Sequence, residues 1–331
     1  MKASMLYKIP PFILPVILFV PALTVRLHGK SGLLANPQLQ QIKTIFVAII
    51  LEALPFILLS VLLSSLVQVF LKDEWIGRLN PKNPLVGVLL ASSLGIVLPM
   101  CECGMIPVVR RLMVKGMPAY IAVTFILSGP ILNPVVLTST LVAFRSHPEI
   151  VWSRMGLAFA VSILTGLIVY GLFPKKPLKQ SLTAFRLRSG NASSHEHPQS
   201  WEGFFVHAGN ELIEMSKYLA LGAFVTACIQ TFIPRDQLFA LGNGSVSSYF
   251  FMMGFAFVLS LCSTSDAFVA SAFTHTFSAG PLIAFLVLGP MLDFKSLLML
   301  LATFKSRFVI CLSVLLVILI LLGSVAINFI I

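Results

Sequence analysis

The sequence predicts an all-α integral membrane protein made of two repeats, inverted relative to each other, each with a broken or re-entrant hairpin, plus an extra N-terminal helix. Three observations predict it. Apolar runs of membrane-crossing length recur along the chain, the two halves match at four places in one order, and Lys and Arg are distributed unevenly between successive loops.

The chain has 331 residues, 57% hydrophobic and 11% charged, with a mean hydropathy of +0.96. Such a composition calls for lipid as solvent and leaves no sizeable soluble domain. The net charge of +11 sits in short segments between apolar runs, the place of charges that orient helices in a membrane, so nucleic acid is not an expected partner. Crossing a hydrocarbon core takes roughly 20 helical residues. The apolar segments run over residues 9–26, 42–71, 84–100, 118–144, 152–173, 203–233, 246–262, 281–304 and 308–331.

Residues 1–40 form the first unit. Lys2 and Lys8 precede an apolar stretch with no small-x-small cleavage site after it, so the stretch is read as a membrane helix rather than a signal peptide. Residues 41–173 are the first membrane repeat. Residues 174–200, with Lys175, Lys176, Lys179, Arg186 and Arg188, form a basic cytoplasmic linker, in which His195-Glu196-His197 is a weak metal motif. Residues 201–331 are the second repeat.

The duplication rests on four matches. Glu52 and Gln68-Val69-Phe70 are echoed by Glu214 and Gln230-Thr231-Phe232, and Leu98-Pro99-Met100-Cys101 by Leu259-Ser260-Leu261-Cys262. Ser128-Gly129-Pro130-Ile131-Leu132-Asn133 is echoed by Leu288-Gly289-Pro290-Met291-Leu292-Asp293, and Ser153-Arg154 by Ser306-Arg307. Residues 84–116 and 246–280 each read as a short apolar run, a polar knot and a second short run. If each pair of runs is a hairpin, fifteen Lys and Arg fall inside, and six fall outside: Arg26, Lys30, Lys43, Arg145, Arg154 and Arg235. Full crossing would leave the two sides nearly balanced, so the count favours hairpins and an inverted repeat.

Hairpins that meet from opposite faces are how many secondary transporters build a midplane site. At the first tip, between Pro99 and Pro107, Cys101-Glu102-Cys103 sets two sulfurs around a carboxylate, a donor set suited to a soft metal as well as to substrate contact. A buried cysteine is also a small hydrophobe, and a thiol pair can do redox chemistry. The second tip, Cys262-Ser263-Thr264-Ser265-Asp266, adds a sulfur, hydroxyls and a carboxylate, with helix capping as its structural alternative. The candidate substrate residues are therefore Cys101, Glu102, Cys103, Cys262, Ser263 and Asp266, together with Asn133 and Asp293 at the predicted helix breaks.

Glu52, deep in an apolar run with no charged neighbour, is a candidate proton carrier, as is its counterpart Glu214, which has Glu211 and Lys217 on the same helical face. Lys295 stands two residues from Asp293, off its helical face, and is expected to snorkel. Cys228 and Cys311 read as core.

At the Pro99-x-Cys101-x-Cys103-Gly104 and Ser128-Gly129-Pro130-x-x-Asn133-Pro134 segments, and at their echoes near Cys262 and Gly289, the sequence resembles a bacterial predicted-permease family that includes the organoarsenical efflux permeases. The resemblance covers most of residues 42–331. It implies a permease whose membrane cysteines contact substrate.

The expectation is a multi-pass permease of the bacterial cytoplasmic membrane, a secondary transporter of a soft metal, metalloid or thiol-reactive solute. No Walker loop or cofactor motif is present, and no catalytic activity is expected. Beside the lipid bilayer and the solute, a homo-oligomer is an open partner. Two alternatives stand: a membrane thiol oxidoreductase using Cys101 and Cys103, and a membrane subunit of a partner complex.

Overall fold

The computed structural model describes residues 37–70, 83–97, 101–114, 116–172, 216–217, 219–231 and 246–329. The first predicted helix, the basic linker, Glu214 and the Arg235 loop lie outside the described residues. What is described is helical and apolar: α1 (Pro37–Phe70), α2 (Pro84–Val97), α3 (Glu102–Val114), α4 (Ala119–Ser128), α5 (Pro134–Ala143), α6 (Pro148–Leu172), α7 (Leu219–Thr231), α8 (Ser247–Leu259), α9 (Ser265–Ser271), α10 (Ala279–Met291), α11 (Phe294–Thr303) and α12 (Ser306–Asn328).

Lipid is legible in the side chains. On α12, Phe308, Leu312, Leu316, Ile320 and Ser324 form a buried stripe, while Ile310, Val314, Ile318 and Leu322 form an equally apolar exposed one. A water-soluble helix would carry charge on the second face. Three stretches, Pro148–Leu172, Ala279–Thr303 and Ser306–Asn328, are long and apolar enough to cross a membrane among the described residues. This is a multi-pass cell-membrane protein.

Two almost wholly buried helices, α4 and α10, form the centre and touch each other. Both are interrupted where the sequence expects a break. In the first half the helix stops at Gly129 and restarts at Pro134, where Asn133 Oδ1 accepts from Val136 N at 2.9 Å. In the second half it runs through Gly289-Pro290 and breaks at Leu292-Asp293, where Asp293 Oδ1 accepts from Ser296 N at 2.6 Å. Asn133 and Asp293 therefore share one local job, closing the first turn of α5 and α11.

Around these centres the halves repeat their packing. α4 lies against α2 and α6 as α10 lies against α8 and α12, and α3 packs on α11 as α9 packs on α5. This last pair of contacts crosses between halves. Chain direction repeats too. In α2, Gly95 lies against Ser128 and Gly129, the end of α4, whereas in α3 Met105 reaches Gly129 and Val114 leads back to the start of α4. α2 thus runs with α4, and α3 runs against it. In α8, Tyr249 meets Gly280 and Ala256 meets Gly289, while Asp266 of α9 meets Gly289, Phe273 packs edge-on against Phe255 and Phe277 stacks on Phe251. α8 runs with α10, and the chain turns back through α9.

Two backbone features set these reversals. Gly116, at φ 117°, takes the left-handed position after α3, and Met117 N closes on Leu112 O at 3.0 Å, a C-terminal cap that favours glycine. Ser260, at φ 48° and ψ 44°, ends α8 in the same region without being glycine. Its hydroxyl donates to Phe257 O at 3.0 Å and accepts from Phe294 N at 3.2 Å, so the end of α8 is tied to the start of α11.

Candidate functional site

A small cleft, with a volume of about 20 Å³, is lined by Ile49, Glu52, Ala53, Cys101, Glu102, Cys262 and Lys295. Each group reaches it for a local reason. α1 brings Glu52, and Pro55 within that helix lacks the N–H that the Leu51 carbonyl would otherwise accept. Cys101 and Glu102 stand at the first turn of α3, and Cys262 in the polar knot between α8 and α9. Lys295 comes from the first turn of α11, just after the second helix break.

The cleft joins the two halves of the sequence. Cys101 and Cys262, matched residues of the repeat, both line it, and Glu52 Oε1 accepts from Ser265 Oγ at 3.2 Å across 213 positions of chain. The Cys262 thiol lies 3.0 Å from Thr264 Oγ1 and donates to Ser265 Oγ at 3.2 Å. Thr264, at the N-cap of α9, makes no side-chain cap bond, so these hydroxyls serve the cysteine and Glu52 rather than the helix end. Glu102 is buried, and its Oε2 has no hydrogen-bond partner. Asp293, Lys295 and Cys101 are the ionisable groups whose charge it feels.

The expectation that Lys295 snorkels is wrong. Its Nζ lies 3.5 Å from Asp293 Oδ2, and the residue is 5% exposed. Helical spacing does not apply across Asp293, which is not helical: as an N-cap at φ −118° and ψ 174°, it swings its carboxylate back over the first turn. Asp293 is thereby engaged on both oxygens, by Ser296 through Oδ1 and by Lys295 through Oδ2.

Arg154 is a second correction. Counted among the outer loop charges, it is instead fully buried, donating from Nη1 to Thr140 Oγ1 at 2.7 Å and from Nη2 to the Ser263 carbonyl at 2.9 Å. It ties α6 and α5 to the knot that carries Cys262. Its sequence counterpart Arg307 is exposed, so the match Ser153-Arg154 to Ser306-Arg307 does not extend to environment. Removing Arg154 from the outer count leaves the charge asymmetry in the same direction.

The remaining candidates fall around the cleft rather than in it. Ser263 and Asp266 are buried behind it, with Asp266 against Gly289, and Asn133 caps α5. The Cys103 side chain and Glu214 lie outside what is described. Cys228 and Cys311 are part-buried and do not line the cleft. No three His, Cys, Asp or Glu side chains gather as a metal-binding group among the described residues. Sequence reasoning passed over Lys295 and Arg154, although an Asp-x-Lys at a predicted helix break was a usable signal, because the break suspends helical spacing.

The family described as predicted permease matches residues 38–329. The chain belongs to this predicted-permease family. It is 44% identical over 294 residues to the UPF0718 protein YcgR of Bacillus subtilis (strain 168), covering 89% of this chain and 99% of that protein. It is 35% identical over 273 residues to a protein of Streptococcus mutans serotype c named a putative two-component membrane permease complex subunit, covering 82% of this chain and 89% of that one. No solved structure matches it. This family member is a membrane permease.

Proposed function

We propose that this permease is a secondary transporter, not an enzyme, and that the cleft between its halves binds a small thiophilic solute, a soft metal, metalloid or thiol-reactive compound. One observation carries the reading: the matched cysteines Cys101 and Cys262 line a single cleft with Glu52, Glu102 and Lys295. Thiol sulfurs favour soft acceptors, and the carboxylates add charge. Sulfur from one hairpin alone, Cys101 with Cys103, is the narrower expectation. The cleft favours pairing across the halves.

The architecture fits alternating access. α2 has 14 residues and α8 has 13, or about 20 Å of helix each at 1.5 Å per residue, short of the roughly 30 Å core. Each is followed by a reversal of the chain. Two re-entrant hairpins, three full spans per half and an inverted repeat account for both features and for the loop charges. Glu52, open to the cleft and bonded to the second hairpin through Ser265, is then placed to couple protonation to hairpin position, with Glu214 as its counterpart.

A second reading has an observation of its own. The Streptococcus relative is named as a subunit of a two-component permease complex, so this chain is also a candidate membrane subunit with a partner protein. Reconstitution of the purified chain alone into liposomes separates the two. Flux of a thiophilic ion such as Cd²⁺, lost in a Cys101→Ser, Cys262→Ser variant that inserts normally, supports the transporter. Flux that appears only after a second protein is added favours the subunit.

A further inference from the structure

We infer that Ser265 is a proton relay: as a thiophilic solute bonds to Cys262, the thiol proton passes through the Ser265 hydroxyl to Glu52. The inference deepens the transport reading above, on which its purpose rests, by joining cargo loading and protonation of Glu52 into one event.

The path is already assembled. A thiol has one proton, and Cys262 Sγ donates it to Ser265 Oγ at 3.2 Å, so in the 3.0 Å contact with Thr264 Oγ1 the threonine hydroxyl is the donor. Ser265 Oγ in turn donates to Glu52 Oε1 at 3.2 Å. Thr264, Cys262, Ser265 and Glu52 thus form one chain in which every donor points the same way, and it ends on a carboxylate, which can only accept. A hydroxyl that accepts one proton while offering its own is what a relay requires. The first repeat has Gly104 at the position matched to Ser265, so a hydroxyl is not what a hairpin of this fold needs there.

Charge gives the path its direction. A free thiol is mostly protonated at neutral pH, whereas the form that bonds a soft acceptor is the thiolate. Shedding the proton to bulk would leave thiolate and carboxylate side by side within a membrane, where unbalanced charge is costly. Passing it along the chain leaves a thiolate and a carboxylic acid, with the same total charge as before. In the step, the Cys262 S–H bond breaks as the bond from sulfur to solute forms, Ser265 Oγ takes that proton and releases its own, and Glu52 Oε1 receives it. Departure of the solute reverses the sequence. Cys101, Glu102 and Lys295 face this exchange from the rest of the cleft, with Asp293 beside Lys295, and Arg154 and Asp266 face it from behind. The thiol also feels Glu52 directly, and its hydrogen bonds lead there.

The test is the pH profile of Cys262 alkylation by iodoacetamide, read in detergent on the full chain with Cys101→Ser, Cys103→Ser, Cys228→Ser and Cys311→Ala. A thiol that must lose its proton to bulk reacts about tenfold faster for each pH unit below its pKa. One that hands it to a neighbouring base does not, so the Cys262 rate should rise by less than about threefold per unit around neutrality. Ser265→Ala and Glu52→Gln should each restore the steep rise. Ser265→Thr, which keeps the hydroxyl, should stay shallow, a rescue that a merely structural serine would not produce in a proton dependence. A steep profile before these changes, a shallow one in Ser265→Ala or Glu52→Gln, or no rescue by threonine overturns the relay and leaves the transport reading untouched. A shallow profile in a chain that gives no flux of Cd²⁺ or of an organic thiophile in liposomes would instead overturn the transport reading and keep the relay.

Discussion

Arg154 offers the sharpest structural test, because a fully buried guanidinium leaves few ways to compensate for its loss. Replacing it with Met keeps most of the volume and removes two hydrogen bonds, to Thr140 Oγ1 and to the Ser263 carbonyl. Bonds from a charged donor are worth about 1.5–3 kcal/mol each. Asp266, buried and with Oδ2 unpartnered, also loses the guanidinium whose field it shares. The loss of the two bonds from this charged donor therefore sets the expected cost of Arg154→Met at about 3–6 kcal/mol. The second half of the argument is coupling. An Arg154→Met, Asp266→Asn double variant removes both coupled groups, so it should depart from the sum of the single changes by at least about 0.5 kcal/mol. Unfolding titrations from mixed micelles measure all four proteins. An Arg154→Met variant within about 0.5 kcal/mol of native, or a strictly additive double variant, would refute the claim that this arginine anchors the second hairpin.

Further consequences concern packing, topology and coupling. A Cβ on Gly289 would lie 2.7 Å from Asp266 Oδ2, so Gly289→Ala should displace that carboxylate and cost about 1–3 kcal/mol; native stability in the same titration would contradict the close approach. Single cysteines at Lys115 and Gln237 in a cysteine-free background should label from opposite faces of the membrane, as an inverted repeat requires, and labelling from one face would remove it. Glu52→Gln should flatten the pH profile of flux, whereas a retained profile would assign the carboxyl a structural part through Ser265.

How much could be read in advance follows from which interactions are local. Apolar length and the helix breaks at Asn133 and Asp293 are written in adjacent residues and reappear where expected, except that the second helix continues through Gly289-Pro290 before it breaks. The knot carrying Cys262 was legible as polar, but the partners of its groups were not. Ser265 meets Glu52 across 213 positions, and Arg154 meets Ser263 across 109. Lys295 was misjudged because helical spacing was applied across a residue that is not in the helix. Arg154 was misjudged because a charge near the start of a span looks the same in sequence whether it faces water or a second hairpin.

The central claim is that the two halves present matched cysteines to one cargo cleft, and chemical bridging addresses it directly. In a Cys103→Ser, Cys228→Ser, Cys311→Ala background with a protease site placed within residues 174–200, a short bifunctional thiol reagent is applied and the chain is then cut. The account predicts that the two fragments remain joined on a denaturing gel, that Cd²⁺ present beforehand suppresses the bridge, and that bridged protein no longer supports flux. Fragments that separate, with Cys101 and Cys262 each singly modified, would contradict it.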